Sequence, residues 1–338
     1  MKLGALANDV AIDLGTENIR IYYKGTTINE PAVIAYDEYN DKIVAVGLEA
    51  YEMIDRNPET ITVIKPLSGG VITDFEMACQ MINAFLEKVI GGVIKPRVII
   101  SVPSGITDVE RRAVRDAIMS FEMREVYLIE SPIAGAIGAN CDVTLARGMM
   151  LVDFGGGKCN IAAISLGQTV NGKIVRSGGN DFTEALIHYI EEKHDLKIGW
   201  HTAEKVKKEI GCAFQRDNDE TMVISGYNTK SRKPEKIVIH SEETREAFSD
   251  LITKISASIK SALDETPTEL LGDIMEDGIL LVGGGALLYG LAKKLKIDLG
   301  VKVFLANDAE LCVSRGTAAV SDNLDKMNES NSYVFTKC

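Results

Sequence analysis

Two glycine-bearing loops, Asp13-Leu14-Gly15-Thr16 and Asp153-Phe154-Gly155-Gly156-Gly157, occupy matching places in the two halves of the chain, each closing an apolar run, at 10–12 and 149–152. Such a run reads as a strand that delivers its aspartate to the strand end, where glycine backbone approaches phosphate oxygens with no Cβ in the way. The carboxylates can then face a divalent cation. A single Asp-Gly loop is equally the ordinary way to make a turn. Two of them, with a third glycine run at Gly283-Gly284-Gly285, point instead to a phosphate-holding cleft between two similar halves.

Composition supports that size and narrows the partners. With 338 residues, 46% hydrophobic and 25% charged, the chain has material for two lobes around sizeable cores. A formal charge of −12 argues against nucleic acid, whose phosphates call for a basic face. Cys79, Cys141, Cys159, Cys212, Cys312 and Cys338 form no CxxC pair, which fits a reducing cytoplasm. No apolar stretch reaches the length of about 18 residues that spans a bilayer, and residues 1–9 lack the features of a signal peptide. The expectation is a protein neither exported nor membrane-spanning.

Hydrophobic periodicity predicts strands over 10–23, 32–36, 98–102 and 126–129, and helices over 74–90, 109–119 and 132–139. Thr107 and Glu110 make a capping box before the second helix. The second half repeats the order. Strands are expected at 149–154 and 161–166, a hairpin turn at Asn171-Gly172, and helices at 181–192 and 202–213. The polar stretch 228–236 separates strands 222–225 and 237–240; an amphipathic helix 242–263, a strand 279–282, a helix 286–295 and a strand 301–305 follow. The segment 325–338 is polar and expected to be mobile. Two similar α/β halves, each with its own glycine loop, imply an internal duplication.

From about residue 10 to 325 the chain resembles the MreB family of bacterial actins. The resemblance lies in NEPAVIAY at 29–36, KPRVIISVPSGITDVERRAV at 95–114, AEKVKKEIG at 203–211, GGGALLYGL at 283–291 and SRGTA at 314–318. It implies the actin/Hsp70-like ATPase fold, an α/β architecture of two lobes with duplicated ribonuclease-H-like cores and small inserted subdomains. Lobe I would span 1–145 with its subdomain near 33–66, and lobe II 146–338 with its subdomain near 178–246. The resemblance further implies ATP or ADP with Mg2+ in the cleft, and filaments built from copies of the chain and paralogous MreB subunits. Those filaments would be cytoplasmic, peripheral at the inner face of the cell membrane, and would govern cell shape or, in wall-less relatives, helicity or swimming.

Residue by residue, the resemblance places Asp13, Gly15, Thr16 and Glu17 in the first phosphate loop and Asp153, Gly155, Gly156, Gly157 and Lys158 in the second, with Asp13 and Asp153 on the metal. Glu204 and Lys207, three apart on one helix face, would contact ribose and base. Gly284, Gly285, Ala286 and Leu287 would form the adenine platform, with Cys312, Arg315 and Gly316 packed nearby. Val93 and Ile94 would sit in an apolar loop that dips into the membrane, with Lys95 and Arg97 beside anionic lipid.

The chain departs from the family where water would be activated. The family's glutamate before Pro132 is Ser131, Lys158 stands where threonine is common, and Asn160 where glutamate is common. A serine hydroxyl is a negligible base near neutral pH, and losing a general base costs about 10²–10⁴ in rate. Glu130, one position earlier, leaves its strand toward the opposite face. The expectation is nucleotide binding with weak or absent hydrolysis. The rival reading is a small-molecule kinase of the same superfamily, which needs an acidic base beside an acceptor pocket; the matching segments offer no candidate aspartate. A chaperone of the Hsp70 type would need a peptide-binding domain for which a chain of this length leaves no room.

Overall fold

The computed structural model describes residues 9–69, 71–90, 95–329 and 334–337. The first half runs β1 (Val10–Leu14), β2 (Asn18–Tyr23), β3 (Thr26–Pro31), β4 (Ile34–Asp37), β5 (Lys42–Val46), α1 (Leu48–Glu52), β6 (Ile61–Ile64), β7 (Leu67–Ser68), β8 (Val71–Ile72), α2 (Phe75–Val89), β9 (Arg97–Val102), α3 (Asp108–Met119), β10 (Glu125–Glu130) and α4 (Ser131–Gly138). The second runs β11 (Met149–Phe154), β12 (Cys159–Ser165), β13 (Gln168–Val175), α5 (Gly179–His194), β14 (Leu196–Lys197), α6 (Trp200–Glu209), β15 (Thr221–Asn228), β16 (Lys233–His240), α7 (Ser241–Asp264), α8 (Thr268–Asp277), β17 (Ile279–Val282), a 3-10 turn (Gly284–Leu287), α9 (Leu291–Leu299), β18 (Val303–Leu305), α10 (Cys312–Asp322), α11 (Leu324–Glu329) and β19 (Phe335–Lys337).

Both halves follow one plan. Each has an antiparallel meander of three strands, and two further strands lie parallel to its first strand on the other side. The orders are β3-β2-β1-β9-β10 and β13-β12-β11-β17-β18, with β19 added beyond β10. Strands buried on both faces need continuous apolar runs, and β9, β11 and β12 have them. Smaller sheets, β5-β4-β6 and β14-β15-β16, are inserted in the first and second halves respectively.

Strand alternation decides where the aspartates point. Val10 and Ile12 enter the core of the first half, whereas Ala11 enters a cluster shared between the halves. Met150, Val152 and Phe154 enter the core of the second half, whereas Leu151 enters that same shared cluster. With a period of two, Asp13 and Asp153 both face the space between the sheets. Helices α4 and α10 fill part of that space and cross with their backbones in contact. A Cβ on Gly138 would lie 1.8 Å from the carbonyl oxygen of Cys312, and one on Gly316 1.8 Å from that of Ala134.

Local signals explain most element ends. Asp74 caps α2 by accepting from the Met77 amide at 3.0 Å, and α2 buries Met77, Ala78, Met81, Ile82, Phe85 and Leu86. The Thr107–Glu110 capping box opens α3. Three expectations are corrected. Asn171-Gly172 is not a turn: it lies inside β13, and the hairpin turns at Leu166 and Gly167, whose φ angles are +52° and +74°. Pairing with β12 and a bond from Asn171 Nδ2 to Ala262 O at 2.9 Å override the local signal. The helix expected over 286–295 is a 3-10 turn followed by α9. Within 325–338, residues 335–337 form β19 against β10, with Val334 buried and Phe335 edge-on to Tyr127 at 5.6 Å.

Candidate functional site

A cavity of about 620 Å³ opens between the two meanders, where β1 and β11 end. Its walls include Asp13, Gly15, Thr16 and Glu17 from one side and Asp153, Gly155, Gly156, Gly157 and Lys158 from the other, with Ser131 between them. Glycine is required where the loops meet: a Cβ on Gly156 would lie 2.2 Å from Glu17 Cγ, and one on Gly157 2.6 Å from Thr16 Cγ2. The loops therefore touch across the cleft, as backbone against side chain.

The two carboxylates differ in support. Asp13 accepts from Ser101 Oγ at 2.8 Å and from Arg20 Nη1 at 3.5 Å. Those residues flank it in the sheet, Ser101 on β9 and Arg20 on β2. Asp153 has Val282 and Asn160 in the corresponding places, and among the described residues neither amide atom of Asn160 finds a hydrogen-bond partner. Burial lifts the Asp153 carboxyl to about 6; Asp13 adds to the rise and the Lys158 ammonium opposes it. Burial also lowers Lys158 to about 8, against the pull of both aspartates. Both shifts have one origin: Asp153 and Lys158 are buried together at this end of the cavity.

Ser131 is buried and donates its hydroxyl to Val102 O at 3.0 Å. Glu130 turns elsewhere, accepting from Ser104 Oγ at 2.7 Å and Thr169 Oγ1 at 2.5 Å. Helix α6 places Glu204 and Lys207 on the cavity wall as a buried pair at 2.7 Å. Lys207 also donates to Gly179 O and Thr183 Oγ1, both at 2.8 Å. Burial lowers its pKa. Glu204 Oε2 is buried and accepts no hydrogen bond among the described residues.

Opposite α6, Gly284, Gly285 and Leu287 line the cavity, whereas Ala286 turns into the core. The glycine at 285 answers to packing: its Cβ would lie 2.9 Å from Phe154 Cδ2. Cys312 and Gly316 are packed inside α10, and Arg315 pairs with Asp308 at 2.6 Å.

Several wall residues escaped the sequence reading. Arg216 lies 4.1 Å over the Tyr289 ring, and both line the cavity. Arg20 and Ser101 carried one signal, their register beside Asp13, which is invisible until the strands are paired. Val93 and Ile94 lie outside the described residues. Arg97 is corrected: Asp9 and Asp325, each 2.5 Å away, hold it with its side chain 11% exposed, so it does not project toward lipid.

A model of the MreB/Mbl protein family matches residues 7–329. Over 325 residues the chain is 39% identical to the cell shape-determining protein Mbl of Bacillus subtilis (strain 168), covering 95% of this chain and 98% of that protein. Over 331 residues it is 40% identical to the cell shape-determining protein MreB of Escherichia coli (strain K12), covering 95% of each. The crystal structure of MreB 5 of Spiroplasma citri bound to AMPPNP superposes with a TM-score of 0.92 at 31% identity, over 96% of this chain and 99% of that one. The MamK double helical filament shares the fold, with a TM-score of 0.79 at 20% identity over 93% and 99% of the two chains.

Proposed function

The chain belongs to the MreB/Mbl family, and we propose that it is an ATP-binding bacterial actin whose filaments govern cell shape and whose nucleotide is held more than it is hydrolysed. The observation that carries the reading is the cavity walled by both phosphate loops, with Asp13 and Asp153 facing the same space. In this reading the chain divides into lobes at 145/146. The adenosine lies between the Gly284–Leu287 turn and α6, and the phosphates lie against the loops.

The residues fit that ligand. Glu204 Oε2 accepts no hydrogen bond among the described residues and has Lys208 Nζ 4.0 Å away, an acceptor of the kind a ribose hydroxyl completes. Among the described residues no group of three or more His, Cys, Asp or Glu could hold a metal alone. Two carboxylates suit magnesium, which keeps waters and takes its other ligands from phosphate oxygens. Held by Asp13 and Asp153, the ion would neutralise phosphate charge. Lys158 adds a cation beside the same carboxylates without activating water.

Weak hydrolysis follows from what surrounds the terminal phosphate. The Ser131 hydroxyl is committed as a donor to Val102 O, and Glu130 is engaged by two hydroxyls away from the cavity. Phosphate release tests this: the double variant Ser131→Glu with Lys158→Thr is expected to exceed the native chain by about 10²–10⁴. Equal rates would overturn the reading. Nucleotide-dependent sedimentation tests assembly with itself and with paralogous subunits.

Peripheral membrane contact belongs to the same proposal, through Val93 and Ile94. No helix among the described residues is long and apolar enough to cross a membrane. Each apolar side chain contributes roughly 1.5–3 kcal/mol if fully buried, which becomes firm only when many subunits act together. Val93→Ser with Ile94→Ser is expected to abolish vesicle pelleting while leaving filaments intact.

A further inference from the structure

We propose that Lys65 and Trp200 are positioning residues: they latch the small sheet of the first half to the start of α6 and so hold the Glu204 and Lys207 wall against the phosphate loops. The inference rests on the nucleotide-binding reading above.

Lys65 follows β6 and reaches two groups at once. Its Nζ lies 3.0 Å from Glu17 Oε1 and 4.1 Å from the centre of the Trp200 ring. Glu17 belongs to the first phosphate loop, and the same oxygen accepts from Asn180 Nδ2, at the start of α5, at 2.7 Å. Trp200 is the first residue of α6, the helix that carries Glu204 and Lys207. Two contacts flank the pair: Asp55 Oδ2 accepts from the Trp200 amide at 3.1 Å, and Tyr51 meets His201 edge-on at 4.9 Å. A continuous path thus runs from the first phosphate loop through Lys65 and Trp200 into α6.

The position of this path gives it a consequence for ligand exchange. A second cavity of about 910 Å³ is lined by Lys65, Trp200 and Asp55, and it shares Thr16, Gly157 and Asn180 with the first cavity. The latch therefore borders the phosphate-loop side of the first cavity through Glu17 and Asn180, which line it. Parting Lys65 from Trp200 would free α6, with Glu204 and Lys207, to move away from the phosphate loops. Cation–π attraction between a partly desolvated ammonium and indole is modest. It is strong enough to slow release and weak enough to open.

Trp200 is the chain's one tryptophan, so its emission reports this contact directly. The test uses the full chain, a fluorescent N-methylanthraniloyl-ATP and three variants. Lys65→Met removes the charge and keeps the stem, Lys65→Arg keeps both partners, and Trp200→Phe keeps a ring. Lys65→Met is expected to speed nucleotide dissociation by roughly three- to thirtyfold, to shift Trp200 emission in the empty protein, and to leave the melting temperature nearly unchanged. Lys65→Arg should return dissociation to near the native rate, and Trp200→Phe should fall between. Native dissociation kinetics in Lys65→Met, in protein that still melts normally, would overturn the positioning role. Failure of the native chain to bind the nucleotide at all would instead remove the nucleotide-binding reading, and the latch with it.

Discussion

The two aspartates of the cleft sit at the same point of a duplicated sheet, yet their surroundings are opposite. Asp13 is pinned by Ser101 and Arg20 on the two adjacent strands. Asp153 has the aliphatic Val282 on one flank and the amide of Asn160 on the other, and neither hydrogen-bonds it. Duplication reproduced the backbone and not the support. One carboxylate is oriented before any ligand arrives, and the other carries a desolvation penalty that a cation would relieve. Lys158 relieves part of it from within the chain.

The sharpest way to break this contrast is Asp153→Asn. Magnesium-dependent ATP affinity is expected to fall on the order of 100-fold, while affinity measured in EDTA changes little. An unaltered magnesium effect would mean that Asp153 is not the metal's partner.

Stability without ligand should invert the ranking. Between the ordinary carboxyl value of 3.8 and its folded value of about 6, the folded chain holds an Asp153 proton that the unfolded chain has released. The cost of burying the charge is therefore complete only above that range. In metal-free protein near neutral pH, Asp153→Asn should stabilise by roughly 1–3 kcal/mol, a gain that shrinks as pH falls toward about 4. Asp13→Asn should destabilise by about 1–3 kcal/mol, because the amide oxygen can still accept from Ser101 while an NH2 replaces the charged oxygen that Arg20 pairs with. Chemical denaturation at the two pH values checks both signs.

A smaller effect is expected on removing the support alone: Ser101→Ala should weaken magnesium–ATP binding about tenfold. The reciprocal change, Val282→Thr, offers Asp153 the donor it lacks and should lower its pKa, measured by carboxyl NMR. The smallest effect belongs to Gly155→Ala. Its Cβ would meet only Lys158 O at 3.5 Å, so the change in stability should stay within about 0.5 kcal/mol.

How much of this was legible in the sequence depends on whether a feature is local or lateral. The apolar runs before the two glycine-rich loops and the α3 capping box are encoded by near neighbours, and they appear where periodicity put them. The bacterial-actin family was legible as well, from the motifs between 29 and 318. The supports of Asp13 were not, since Ser101 and Arg20 become its neighbours only through strand pairing. The Asn171-Gly172 signal misled because turn propensity is weaker than the pairing of a full strand. The inward turn of Ala286 depends on the phase of a single 3-10 turn, which a 3.6-residue pattern does not resolve. Lys65 and Trp200 lie in segments with no motif, and only the approach of two inserted sheets joins them.

Strand β19 carries a consequence for how the molecule is made. Tyr127 on β10 pairs with Lys337, so the rim of the first sheet is finished by residues far downstream. While the ribosome is still producing the second half, β10 presents a bare row of amides and carbonyls, open to any extended segment nearby. Only when β19 arrives is that hazard closed, which makes completion of the first sheet a late event in biogenesis.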